Sequence, residues 1–397
     1  MNTTTPAMPA ARPATVQTLA SLSPDLIAAI RRIPAHDAAR TPPSLRARRP
    51  ARIFTDPAHF ELEQRSIFRR HAVPVGASAQ LPEPQTVQAI QAYGLPLLLT
   101  RNAAGELKVF LNVCRHKGAL LVERTDAHRS GRLSCPYHAW TYSVDGQLIG
   151  VPRQETFADL DKAGHDLTRL PAEEKGGLIW VMLDRTATPD FGKIDPLLAD
   201  WESLNLPRLH LYGHKTFELD ANWKLVIEPF LEGYHVQRLH AASVGPLFAD
   251  VPTVSSVLGD HVRQVSGKAD FTPQQLDAAD AHIHKTITIT YLAFPNVSVI
   301  CSPYYISVML IQPVAADRST VQYYMLTRDP ADNDKARELF ARSYEMILNV
   351  FGNEDFRAAC ISQKGLASGT LDELTYGGLE AQIPVFYEIL EKHLDAR

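Results

Sequence analysis

Apolar and polar positions follow two different periods along this chain, and the change of period divides it. From Arg70 onward, short apolar runs are bounded by turn residues. Leu95 to Thr100 and Leu107 to Val113 flank Gly105, and Trp140 to Val144 faces Gln147 to Val151 across Asp145-Gly146. That dipeptide predicts a tight hairpin, because both residues tolerate positive φ. Gly177 to Asp184 (GLIWVMLD) reads as one more buried strand, so this stretch is expected to be a small antiparallel β domain. Pro189, Gly192 and Pro196 then mark a boundary. Beyond it, Ile287, Ile289 and Tyr291 alternate with threonine, and apolar runs at Val297 to Cys301, Tyr305 to Ile311 and Val321 to Leu326 predict an antiparallel meander. Helical periodicity appears at Ala336, Leu339, Phe340, Tyr344, Ile347, Leu348 and Phe351, and again from Glu354, which places helices on the sheet. The fold class is therefore α+β. Its parts are a tail with one helix over 1–52, a β domain over 53–188 and a sheet covered by helices over 189–397.

Composition narrows the function. The 397 residues carry 40 Lys and Arg against 44 Asp and Glu, a formal charge of −4. Coating nucleic acid or an anionic membrane depends on accumulated positive charge, so small-molecule chemistry is the expectation. The Arg46, Arg48, Arg49, Arg52 cluster reads as a solvated face. No apolar run reaches the roughly 18 residues needed to cross a bilayer. The acid-free first 24 residues suit an untethered tail better than a transit peptide, and Arg31-Arg32 lacks the apolar run of an export signal, which makes the cytoplasm the expected compartment. Four cysteines, at 114, 135, 301 and 360, are too few and scattered for a disulfide framework.

Two of those cysteines have histidine company. Cys114-Arg115-His116 is separated by 18 residues from Cys135-Pro136-Tyr137-His138. Two thiolates and two imidazoles could hold zinc, but the usual finger presents paired cysteines and then paired histidines on a helix. Here each pair mixes the two ligand types. That suits a Rieske [2Fe–2S] cluster, whose one iron takes both cysteines and whose other takes both histidines. Cys301 and Cys360 read as buried thiols.

A second histidine pair follows at His235 and His240, after Asn222-Trp223-Lys224 and Glu228-Pro229-Phe230-Leu231-Glu232-Gly233-Tyr234. Two histidines and a carboxylate with open positions form the facial triad of non-haem Fe(II) oxygenases. Five residues on an ideal helix turn a side chain by about 140°, so the helix must either carry a π-bulge or break between the two. The pairs His210/His214 and His282/His284 are weaker candidates, since a glycine interrupts the first and the second adjoins a strand.

CRHKGA with CPYHAW resembles the oxygenase branch of Rieske proteins, and NWK followed by E-x-F-L-E-x-Y-H-x4-H is similar to the catalytic motif of Rieske non-haem iron ring-hydroxylating oxygenases, in that family's order. The resemblance implies a terminal oxygenase α subunit with a Rieske cluster on Cys114, His116, Cys135 and His138, and mononuclear Fe(II) on His235, His240 and a later acid. Gly352-Asn353-Glu354-Asp355-Phe356 looks like the family's carboxylate segment, which implies Asp355 as the third ligand, with Glu354 next in line and a helix cap at Asn353 as the competing reading. Glu232 resembles the carboxylate that in this family bridges the two metal sites across subunits, from His235 of one to His138 of its neighbour, which implies a ring, usually a homotrimer, with or without a β subunit. Electrons would come from an NAD(P)H-linked reductase or ferredoxin, since no dinucleotide fingerprint is present. O₂ and a small organic substrate, aromatic by expectation, would meet at the iron beside Leu231, Val244, Leu247, Phe248, Tyr291 and Tyr305. The outcome would be dihydroxylation, hydroxylation or demethylation. The rival readings are a non-catalytic Rieske electron carrier or iron-sulfur sensor, and a zinc-stabilised binding module.

Overall fold

The computed structural model describes residues 16–36 and 44–394. Most of the tail expected over 1–24 therefore lies outside the described residues. Among the described residues no helix is long and apolar enough to cross a membrane.

Three small antiparallel sheets occupy residues 73–181. One has five strands, in which Leu95–Arg101 sits between Thr86–Ala92 and Leu107–Leu111. A second joins Arg132–Ser134, Thr141–Ser143 and Leu148–Gly150. Both predicted hairpins form there, and Gly146 adopts φ +90° at the second turn, packed so closely that a Cβ would fall 2.4 Å from the Phe110 ring. The GLIWVMLD run supplies Leu178–Val181, the middle strand of the third sheet, paired with Ala172–Lys175 and Val73–Ala77. Burial on both faces explains its unbroken apolar sequence.

The larger architecture is a seven-stranded antiparallel sheet. Six strands from Val254 to Thr327 run up and down in chain order, and His210–Leu219 adds at the far edge, beside Arg318–Thr327. Period-2 alternation gives this sheet two unlike faces. Ile287, Ile289 and Tyr291 join one core cluster, with Trp201 and the helix Pro24–Ile30. The opposite face meets Asp334–Val350 and Phe356–Leu366, which a single π-helical turn, Phe351–Asp355, links into one continuous helical run. Asn353 thus sits inside a helix and caps nothing; the cap is Asn333, whose side chain accepts from the Ala336 amide. The basic cluster is only partly a solvated face. Arg46, Arg48 and Arg52 are exposed, whereas Arg49 lies over the Tyr387 ring and pairs with Glu391.

The Asn222-Trp223-Lys224 segment locks the approach to the second histidine pair. Asn222 caps the short helix Trp223–Ile227, and its amide nitrogen donates to the Ala316 carbonyl at 2.7 Å. Lys224 Nζ reaches Glu63 Oε1 at 2.6 Å, both side chains being 1% exposed, and Trp223 Nε1 donates to Glu63 Oε2 at 2.9 Å. Burial alone would raise the Glu63 pKa, but Lys224 beside it outweighs that and holds it low. Four residues on, Glu228 accepts hydrogen bonds from Tyr376 at 2.9 Å and Tyr387 at 2.6 Å. Here burial wins, and the pKa is pushed up to about 7.

Removing one member of a buried ion pair leaves the other uncompensated. Lys224→Met is expected to destabilise by roughly 3–5 kcal/mol, seen as a lower urea midpoint, with part recovered when Glu63→Gln is added. Glu228 supplies the pH test. Its folded pKa exceeds the ordinary carboxylate value, so from about pH 4.5 to 7 the folded state retains a proton the unfolded state has released, and stability falls as pH rises through that window. Glu228→Gln removes the titration and should gain on the wild type across it, by up to roughly 3 kcal/mol. Parallel stability curves for the two proteins would contradict the assignment.

Candidate metal centres

The first site is built from two loops with the same backbone design. Cys114 N–H donates to the Ala119 carbonyl and Gly118 N–H returns to the Cys114 carbonyl; Cys135 N–H donates to the Trp140 carbonyl and Ala139 N–H returns to that of Cys135. In each, the residue four beyond the cysteine is left-handed, Gly118 at φ +76° and Ala139 at +55°. Each loop thereby buries its cysteine and leaves the histidine two or three residues later partly exposed. The two thiols stand within hydrogen-bond reach of each other, and burial raises the Cys135 pKa. Tyr142 closes the thiol side, its hydroxyl 3.5 Å from Cys114 Sγ and 3.0 Å from the Arg115 amide. On the outer side the His116 and His138 rings lie 4.7 Å apart, with His116 stacked on Trp140 at 4.8 Å. His138 Nδ1 is buried without a hydrogen-bond partner, a donor atom left over for a metal. Thiol beside thiol and imidazole beside imidazole is the donor set that a cluster with one Cys₂ and one His₂ iron fits.

The second site lies where the chain leaves its lock. The helix between the histidines is one turn, Val236–Leu239, with His235 before it and His240 after it at φ −95°, ψ 17°. It breaks, and that break is what returns the two rings to one side, 5.0 Å apart. The following chain packs tightly on this turn: a Cβ at Gly245 would fall 2.7 Å from the His240 carbonyl oxygen and 2.9 Å from that of Val236. The π-turn expected as the alternative occurs instead at the carboxylate segment, where it aims Asp355 inward. Asp355 Oδ1 stands 3.2 Å from His240 Nε2 and 3.5 Å from His235 Nε2, and is buried without a hydrogen bond. Among the described residues, His235, His240 and Asp355 form the one group of three such side chains whose ligand atoms converge within 4.8 Å. His210, His214, His282 and His284 gather no such group; His214 bonds Gln322 and His284 bonds Gln17.

Each histidine has its own carboxylate behind it. Glu232 Oε1 is 2.5 Å from His235 Nδ1, while its Oε2 accepts the His235 backbone N–H at 3.0 Å. Glu354 plays the same part for His240, bonding Nδ1 and accepting from Ser243 Oγ at 2.7 Å. Holding Nδ1 fixes both ring orientation and tautomer, so that Nε2 faces the common point. Burial opposes charge on His240, yet Asp355 and Glu354 outweigh it and raise its pKa. Glu354 thus stands behind the His240 ring and outside the converging group. The sequence reading missed this role and that of Ser243.

A cavity of about 690 Å³ opens over these groups. Val244, Leu247, Phe248 and Tyr305 line it as expected, but Leu231 and Tyr291 do not. Leu231 is fully buried in the core, and Tyr291 points through the other face of the sheet, where its hydroxyl meets Asp200 at 3.0 Å. The threonines that alternate with it, Thr288 and Thr290, face the cavity.

Known proteins match this arrangement. Residues 71–166 match the family described as Rieske [2Fe-2S] domain, and residues 206–396 match that described as ring hydroxylating alpha subunit, catalytic domain. The glycine betaine monooxygenase oxygenase subunit of Chromohalobacter salexigens is 33% identical over 194 residues, 48% of this chain and 42% of that protein. The 2-halobenzoate 1,2-dioxygenase large subunit of Burkholderia cepacia is 27% identical over 364 residues, covering 79% of this chain and 77% of that one. In fold, a quaternary ammonium Rieske monooxygenase crystallised with L-carnitine superposes with TM-score 0.73 at 22% identity, over 87% of this chain and 95% of the other. A naphthalene 1,2-dioxygenase from Rhodococcus sp. gives TM-score 0.72 at 21% identity, over 88% and 95%. A Rieske domain followed by a mononuclear-iron catalytic domain defines the class. The chain belongs to the ring-hydroxylating oxygenase α-subunit family, and its cofactors are a Rieske [2Fe–2S] cluster and a mononuclear iron.

The Glu354 contact predicts a selective defect. Glu354→Gln should weaken mononuclear iron binding about 10–100-fold, measured by metal titration of the apo site, while the visible spectrum of the cluster stays unchanged. Undiminished iron affinity would show that Ser243 and the turn hold His240 unaided.

Proposed function

We propose that this chain is the terminal oxygenase of a multicomponent system acting on a small, preferably aromatic, molecule. In this reading Cys114, His116, Cys135 and His138 hold the cluster, and His235, His240 and Asp355 hold the iron. The observation that carries it is the convergence of two Nε2 atoms and one unpartnered carboxylate oxygen on the wall of a substrate-sized cavity. Fe(II) in such a triad supplies activation of O₂, with electrons arriving through the cluster from a separate reductase or ferredoxin.

The side chains carry the rest. Glu232 and Glu354 keep the two imidazoles in the donating tautomer. Phe230, Phe248, Tyr304, Tyr305 and Phe351 give the cavity aromatic walls, which exclude water and favour a flat substrate. The partly exposed edge at His116, Tyr137 and His138 is where electrons would enter and leave the cluster. Glu232 supports a bridge to the neighbouring subunit's cluster, because it already bonds His235 at one end of the route; the assembly would be a head-to-tail trimer.

Substrate-dependent O₂ uptake with a ferredoxin and reductase tests the reading. Asp355→Ala should retain the cluster spectrum and lose coupled uptake by at least about 10³-fold, since a metal ligand is removed; uptake at the wild-type rate would overturn the ligand set. Mixed subunits test the trimer. Cys135→Ser and Asp355→Ala chains, each inactive alone, should regain activity when co-expressed, and no gain over the separate chains would place electron transfer within one subunit.

A further inference from the structure

The cavity has one charged end that the iron chemistry does not use, and this inference rests on reading the cavity as the substrate site. Its floor is the sheet face bearing Gln264 and Ser266, with Thr290 and Thr288 opposite them in register. Gln264 marks the end near the iron motif, because its amide donates to the Phe230 carbonyl at 3.2 Å. Lys268 lies four residues further along, about 13 Å at roughly 3.3 Å per residue. Its Nζ stands 4.9 Å from the centre of the Phe248 ring, and a second cavity lysine, Lys285, has Nζ 5.9 Å from that of Tyr304.

The acids that line the cavity, Glu232 and Asp355, are engaged with the histidines and not with either lysine. Burial lowers the Lys268 pKa and Asp270, which is not part of the cavity lining, opposes this, so a half-buried ammonium lines the wall beside the Phe248 ring. Between Lys268 and Gln264, Thr288 Oγ1 is buried with no hydrogen-bond partner. A cation, an unsatisfied hydroxyl and a second cation on one part of the cavity wall make a receptor for an anion's oxygens.

We propose that Lys268, with Thr288 and Lys285, binds the carboxylate of an anionic substrate and so lays its opposite end toward His235, His240 and Asp355. Lys268 is the specificity-determining residue of this arrangement. An aromatic acid and a carboxylate-bearing betaine share this chemistry and differ only in what faces the iron.

Isothermal titration of the holoenzyme with a panel of small carboxylates and their uncharged or carboxylate-free counterparts tests it, benzoate against benzamide for the aromatic arm and glycine betaine against choline for the other. At least one carboxylate should bind about tenfold or more tightly than its counterpart, a difference of about 1.4 kcal/mol. Lys268→Met should bring that pair to within about twofold without moving the counterpart, and Lys268→Arg should keep most of the preference. A panel with no carboxylate preference, or a preference unaltered in Lys268→Met, overturns the proposal. Iron content and the cluster spectrum check that the variant is folded. The oxygenase reading fails separately: a Lys268-dependent carboxylate preference without any coupled O₂ uptake would refute that reading and leave the anion site standing.

Discussion

One buried carboxylate oxygen sets the terms for the catalytic half of this protein. Asp355 Oδ1 lies in the interior, faces two imidazole Nε2 atoms and accepts no hydrogen bond. Such a group is costly unless a cation compensates it. Everything around it keeps those three atoms aimed at one point. A π-turn rotates Asp355 out of the register its helix would otherwise impose, a one-turn helix brings both histidines to the same side, and two glutamates hold the rings from behind. The elements involved come from opposite ends of the domain, so the site exists only when the sheet and its helices are assembled.

The paired cysteine and histidine loops of the Rieske domain meet the opposite requirement. A structural metal is best enclosed, whereas an electron-transfer centre needs one accessible edge. The repeated loop answers this with backbone geometry: the same pair of hydrogen bonds and the same left-handed fourth residue turn each cysteine inward and leave each histidine near the surface. Ala139 accepts a conformation in which Gly118 is free of strain. Its persistence at φ +55° shows how strongly the Cys135 loop is determined by its surroundings.

What could be read from the sequence follows the range of the interaction. The Asp145-Gly146 hairpin, the helix over Asp334–Val350 and the spacing of the cysteine and histidine pairs are local, and their residue types carry the chemistry. Glu354 was misplaced because its partner His240 is 114 positions away, and no local pattern separates a carboxylate that binds a metal from one that orients a ligand. Tyr291 failed for a different reason. Alternation along Ile287–Ala293 announces two faces, but it does not say which one looks toward the iron; the apolar face went to the core, and the threonines were left to line the cavity. The strands His210–Leu219 and Val254–Leu258 are too polar to announce themselves, since each is an edge strand with one face in water.

The segment from Asn222 to His240 joins these lessons. It contains little regular structure: five residues of helix, a four-residue 3₁₀ turn and a single α-turn. Backbone hydrogen bonds alone cannot fix so irregular a path, so its course is set by buried side chains at intervals. Asn222 is tied to Ala316, Lys224 to Glu63, Glu228 to Tyr376 and Tyr387, and Glu232 to His235. The first three anchors reach different parts of the chain, and the last fixes the turn that carries His235. The polar residues of the motif that flank the histidines therefore have a mechanical reason to be there. They convert the packed core into a fixed position for two imidazoles, and loosening any one of them frees the segment that carries those rings.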